Sequence, residues 1–66
     1  MATVTVRKKG HRFVSEFSAL PGQTFGPWGM AEMIQDLQVS ALLPALDARD
    51  LVFDAAVLGE ATTDTA

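Results

Sequence analysis

The chain has no cysteine and no tyrosine, and only one tryptophan and one histidine. Without cysteine, neither a disulfide nor a thiolate-bound metal can staple the fold. Ser15, Ser18 and Ser40 have His11 as their only possible imidazole base, and His11 falls at the tip of a predicted hairpin, where nothing would exclude water. No apolar run approaches the roughly 18 residues that a bilayer-spanning helix needs. The opening Met1-Ala2-Thr3-Val4-Thr5-Val6 does not show the basic region followed by an apolar stretch of a secretory signal. The expectation is a cytoplasmic protein with no membrane partner.

What is present is a short, charge-polarised chain. Its 66 residues bound one domain, 1–66, of a size at which a hydrophobic core is only marginally sufficient. Apolar residues make up 48% of it, too many for a chain that stays disordered. The net charge of −3 conceals a division near Trp28. Before it, Arg7, Lys8, Lys9 and Arg12 face only Glu16; after it, Glu32, Asp36, Asp47, Asp50, Asp54, Glu60 and Asp64 face only Arg49. Such polarity speaks about partners rather than about fold.

Thr3 to Ala19 alternates as a β-hairpin should, with Val4 and Val6 in one arm and Phe13, Ser15 and Phe17 in the other. A turn at Lys9-Gly10 sets Val6 opposite Phe13, Thr5 opposite Val14, Arg7 opposite Arg12 and Lys8 opposite His11. Val4, Val6, Phe13 and Phe17 then form the inner face. Leu20 to Pro27 is dense in turn formers and reads as a connection, with Phe25 tucked beneath it. Pro27 suits the first position of a helix, where its missing N–H is not needed. From there Met30, Met33, Ile34, Leu37 and Ala41 recur at helical spacing, which predicts a central helix from about Trp28 to Leu43 with Glu32, Gln35 and Asp36 on its other side. Pro44 interrupts. Leu46 to Leu58 fits either a second helix, capped by Asp47 and ended by Gly59, or a third strand with Leu51, Phe53, Ala55 and Val57 on one face; alanine content favours the helix. Residues 60–66 read as a frayed, flexible tail. The expected fold is α+β: an N-terminal antiparallel β-hairpin packed against a central helix, with a second helix or third strand near the C-terminus.

No chemistry-bearing pattern emerges. There is no Gly-rich phosphate loop, and Asp47, Asp50 and Asp54 do not follow the Asp-x-Asp-x-Asp-Gly spacing of a calcium loop. No catalytic residue, metal site, cofactor or small-molecule substrate is expected, and the protein is not expected to be an enzyme. The carboxylates are the better clue. Glu32 and Asp36 stand four apart, as do Asp50 and Asp54, and like charges at that spacing cost an exposed helix about 0.2–0.5 kcal/mol each. One account is a plainly acidic, soluble surface. The sharper account is a surface that presents carboxylates where phosphates would sit in a basic, nucleic-acid-binding groove. Trp28 can be core, over Phe13 and Phe17, or an exposed anchor for a partner.

The run Thr3-Val4-Thr5-Val6-Arg7-Lys8-Lys9-Gly10 with Arg12-Phe13-Val14 resembles the opening of swapped-hairpin antitoxins and transition-state regulators. That resemblance implies DNA binding through Arg7, Lys8, Lys9 and Arg12, with the later half supplying further strands. In its size, acidity and lack of cysteine the chain is similar in kind to the small inhibitors of phages and mobile elements, anti-CRISPR proteins in particular. This resemblance implies a non-catalytic inhibitor of a bacterial surveillance complex that blocks its target-DNA or protospacer-adjacent-motif site. On the reading of the acidic surface, the partner-binding residues would be Glu32, Asp36, Asp47, Asp50 and Asp54, acting in the host cytoplasm. A DNA-binding regulator is the alternative, and a small virion assembly protein held by the apolar helix face is a third.

Overall fold

The computed structural model describes residues 2–65 and shows an α+β fold. Strands β1 (Thr3–Lys9) and β2 (Arg12–Phe17) form the N-terminal hairpin, followed by β3 (Thr24–Trp28), α1 (Met30–Ser40), α2 (Ala45–Leu58) and β4 (Glu60–Asp64). The four strands make one antiparallel sheet in the order β3-β2-β1-β4. Both helices cover one face of it, α1 over β2 and β3, α2 over β1 and β4, and they pack against each other.

The hairpin forms in the expected place but with a different turn. Lys9 pairs with Arg12, so the two turn residues are Gly10 and His11. Gly10 has φ +65, which a type II′ turn requires of its first central residue and which glycine adopts without a steric penalty. The register therefore slides by two from the expectation: Val6 faces Ser15, Arg7 faces Val14, and Val4 faces Phe17. A slide of two preserves which side chains point inward. Val4, Val6, Phe13 and Ser15 are buried and Phe17 is half-buried. The expected opposition of Arg7 with Arg12 and of Lys8 with His11 does not occur.

Two strands stand where the sequence reads as loop and tail. Thr24–Trp28 pairs with β2, with an irregularity between Phe13 and Ser15. Pro27 thus lies in an edge strand, where a missing N–H is tolerated, and not at a helix start. The Gly26–Pro27 peptide is cis. Gly26 has φ +110, and a Cβ there would lie 2.6 Å from the Phe13 carbonyl oxygen, so only glycine allows β3 to approach β2 this closely. Phe25 stacks at 5.2 Å against Phe17 instead of sitting beneath a loop. At the other edge Glu60–Asp64 pairs with β1 from Thr3 to Arg7, so the expected flexible tail is for the most part a strand. Thr5 and Thr62, directly opposed, share a hydroxyl–hydroxyl hydrogen bond of 2.8 Å.

The core joins Val4, Val6 and Phe13 of the sheet to Met33, Leu37 and Ala41 of α1 and its cap, Leu43 of the elbow, and Ala48, Leu51, Val52 and Ala55 of α2. The predicted stripe of α1 is confirmed: Met33 and Leu37 are fully buried, and Met30 and Ile34 pack partly against the same cluster. Burying a side chain of this size is worth about 1.5–3 kcal/mol, so Met33 and Leu37 anchor α1 to the sheet. The helix starts at Met30, after Gly29, whose N–H is accepted by Glu32 Oε1 at 3.3 Å. Residues 45–58 are helical, and the strand alternative falls away. Pro44, not Asp47, occupies the N-cap position, and no side chain caps that end. Gly59, at φ +87, ends the helix as expected.

Candidate functional site: two acidic clefts and a neutralised hairpin

Asp47, Asp50 and Asp54 follow the i, i+3, i+7 spacing that puts side chains along one side of a helix. All three are exposed. With Leu51 they border a shallow cleft of about 160 Å³ whose other wall is Thr62 and Thr63 of β4. That volume is well below the several hundred cubic ångströms of a small-molecule site. Asp47 lies in the first turn of α2, where the helix dipole favours a negative charge. Arg49 Nη2 lies 3.6 Å from Asp50 Oδ1, and its guanidinium sits 6.0 Å above the centre of the Phe53 ring. Among the described residues, Asp47 and Asp54 have no cationic partner.

Glu32 and Asp36 belong elsewhere. They border a second cleft with Trp28, Gln35 and Val39, at the β3 edge of the sheet, whereas the α2 carboxylates lie at the β4 edge. The five acids therefore do not make one patch. Both α1 acids also have structural work: Glu32 holds the Gly29 N–H at the helix start, and Asp36 Oδ1 accepts the Ser40 hydroxyl at 3.0 Å. Trp28 takes the core position expected as one of its two alternatives. It is half-buried, pairs with Phe13 at the end of β3 and packs on the core, while also lining the α1 cleft.

The basic hairpin is partly neutralised. On the sheet face away from the helices, Arg7 donates through Nη1 to Glu16 Oε1 at 3.1 Å and through Nε to Glu60 Oε1. The Glu16 hydrogen bond first, and that of Glu60 next, hold the guanidinium pKa above its ordinary value. The guanidinium therefore stays charged throughout the neutral range, and its own titration gives no switch there. Lys8, Lys9, His11 and Arg12 remain exposed around the turn. Glu60 as a partner of Arg7 was invisible while residues 60–66 read as a tail.

The outer surface of α2 holds what the sequence reading missed. Leu46, Phe53 and Val57 are 62%, 46% and 83% exposed. The signal was available: given a helix, these residues fall at i, i+7 and i+11, opposite the buried Ala48, Val52 and Ala55. Among the described residues no three His, Cys, Asp or Glu side chains come together as a metal site needs, and no helix is long and apolar enough to cross a membrane. The chain matches no protein-family model, no curated protein and no solved structure.

Proposed function

We propose that the protein acts by binding, as a non-catalytic inhibitor whose α2 carboxylates engage the basic, nucleic-acid-reading groove of a bacterial defence complex of the CRISPR type in the host cytoplasm. The observation that carries this reading is the exposed row Asp47, Asp50 and Asp54, of which only Asp50 has a cation nearby, Arg49 at 3.6 Å. Where the fold itself needs carboxylates, it pairs them, as Glu16 and Glu60 pair with Arg7. Asp50 and Asp54 stand at i, i+4, a placement that works against helix stability. Unpaired charge at such positions fits a role toward a cationic partner, whose approach it also steers. Glu32 and Asp36, separated from this row and engaged by α1, are secondary to it.

The test is double charge reversal, Asp50→Lys with Asp54→Lys, assayed for inhibition of target-DNA binding by a surveillance complex. Loss of inhibition in a variant that keeps its thermal midpoint is expected; retained inhibition removes the α2 row from the mechanism. The alternative, direct DNA binding by the hairpin tip, draws support from the exposed Lys8, Lys9 and Arg12, while Arg7 is engaged by Glu16 and Glu60. Tight, salt-sensitive retention of duplex DNA by the protein alone would favour it. A virion-assembly role through the apolar face of α1 draws no support from Met33 and Leu37, which are buried in the chain's own core.

A further inference from the structure

Leu46, Asp50, Phe53 and Val57 are spaced four, three and four residues apart along α2. That spacing lines them up as a heptad seam on a straight helix. The side chains that bind α2 to its own core, Ala48, Leu51, Val52 and Ala55, lie on the other side. The seam is thus a second apolar face of one helix, over roughly 16 Å at a rise of 1.5 Å per residue. Asp47 and Asp54 flank it on one side and Arg49 on the other. Singly exposed apolar residues need no explanation, but Phe53 and Val57 adjoin one turn apart, with Leu46 on the same line beyond Asp50, and an apolar line along one helix points to an interaction surface.

Charge decides what covers it. A second copy docked in antiparallel fashion would set the Asp47 and Asp54 flank beside the same flank of its partner. A second copy docked in parallel would set Arg49 beside its partner's Asp47 and Asp54 flank, but it would oppose Asp50 to its own counterpart at the centre of the seam, where water is most fully excluded. Both orientations bring carboxylates together in a region losing water, where like charges repel most strongly. Nucleic acid and anionic lipid are repelled by the same rim. The remaining complement is a helix with apolar residues at three- and four-residue spacing and lysine or arginine beside them, which would satisfy Phe53 and Val57 together with Asp50 and Asp54. We propose that the outer face of α2 binds a basic amphipathic helix of a partner protein, helix against helix as in a coiled-coil zipper. The inference rests on α2 being the binding face and names the chemistry that face takes.

The probe is a fluorescein-labelled peptide of roughly 18 residues, long enough to cover the seam, with Leu at the a and d positions and Lys at e and g. Two controls accompany it: a scrambled peptide and one with every Lys replaced by Glu. In an anisotropy titration of the full chain, the basic peptide is expected to bind at least about tenfold more tightly than either control. Phe53→Ser and Val57→Ser should each weaken it by about fivefold or more, as should Asp54→Lys, with Val39→Ser on α1 as the unaffected reference. Circular dichroism melts identify the variants that stay folded. Equal binding of the scrambled peptide, or indifference to both Phe53→Ser and Val57→Ser, overturns the inference. So does a dimer in sedimentation equilibrium that Val57→Ser dissolves, since a second copy would then be the occupant. Loss of inhibition of a defence complex on Asp50→Lys/Asp54→Lys, with full inhibition by Phe53→Ser and Val57→Ser, sinks the seam but leaves the acidic-row function standing. Seam-dependent peptide binding without inhibition of any such complex upholds the seam and removes the inhibitor reading.

Discussion

Helices α1 and α2 lie side by side on the same face of one sheet, yet they use their apolar residues in opposite ways. In α1 the large apolar side chains turn inward, and only Val39 is well exposed. In α2 small residues, Ala48 and Ala55, share the buried side with Leu51 and Val52, while Leu46, Phe53, Val57 and Leu58 face out. A helix that is apolar on one side is accounted for by the fold it covers. A helix with large apolar residues on both sides has a surface the fold does not explain. The helix ends differ as well. After α2 the left-handed position is filled by Gly59; after α1 it is filled by Leu42 at φ +55, where a side chain has no natural place.

The contrast is first tested on its buried sides, where the largest effects lie. Leu37→Ala in α1 and Leu51→Ala in α2 are each expected to cost about 2–5 kcal/mol, read from urea-unfolding midpoints. A domain of this size has a total stability on the order of 3–10 kcal/mol, so either variant should approach the unfolding threshold at room temperature. A cost below about 1 kcal/mol at Leu51 would mean that α2 is loosely held and that its two faces are not distinct in kind.

The helix ends come next. Replacing Gly59 with Ala forces a Cβ into a left-handed residue, at a cost of about 1–2 kcal/mol; nothing lies within 4 Å of the added atom, so the loss is conformational and not a clash. Leu42 is the mirror case. Its neighbours Leu43 and Ala41 both donate their N–H groups to the Leu37 carbonyl, at 3.3 and 3.1 Å, and a left-handed residue just past a helix end is ordinarily glycine. Leu42→Gly relieves the strain, and the greater freedom of glycine in the unfolded chain takes part of that back. A net gain of about 0.5–1 kcal/mol in thermal or urea unfolding is expected. A loss instead would show that the exposed Leu42 side chain contributes to the fold.

The same contrast explains what could be read in the sequence. The face of α1 was legible because Met30, Met33, Ile34, Leu37 and Ala41 are apolar at helical spacing and their neighbours are not. α2 was ambiguous between helix and strand because apolar residues on two sides blur the helical period, and Leu51, Phe53, Ala55 and Val57 then mimic strand alternation. The ambiguity and the exposed seam have one cause. The hairpin was legible but its turn was not, since Lys9-Gly10 and Gly10-His11 keep the same inward faces and differ only in which turn geometry the glycine serves. β3 was hidden by Gly26 and Pro27, two residues that mark loops except at an edge. β4 was hidden because Glu60-Ala61-Thr62-Thr63-Asp64 has no large apolar residue to announce a strand; its pairing with β1 and the Arg7–Glu60 contact come from tertiary structure. The split of the acids into two clefts could not be read at all, because it depends on which strand each helix covers.

The smallest effect expected is also the most discriminating one for stability. Val39 on α1 is 71% exposed, close to Val57 on α2, and each is a valine near the C-terminal end of its helix. Valine and serine have similar helix propensities, so Val39→Ser and Val57→Ser should each change unfolding free energy by no more than about 0.5 kcal/mol. Matched stabilities would leave any loss of partner binding by Val57→Ser attributable to the surface it removes. If Val57→Ser cost more than about 1 kcal/mol while Val39→Ser did not, the outer side of α2 would be supporting the fold. Its apolar row would then need no partner, and the two helices would differ in composition without differing in role.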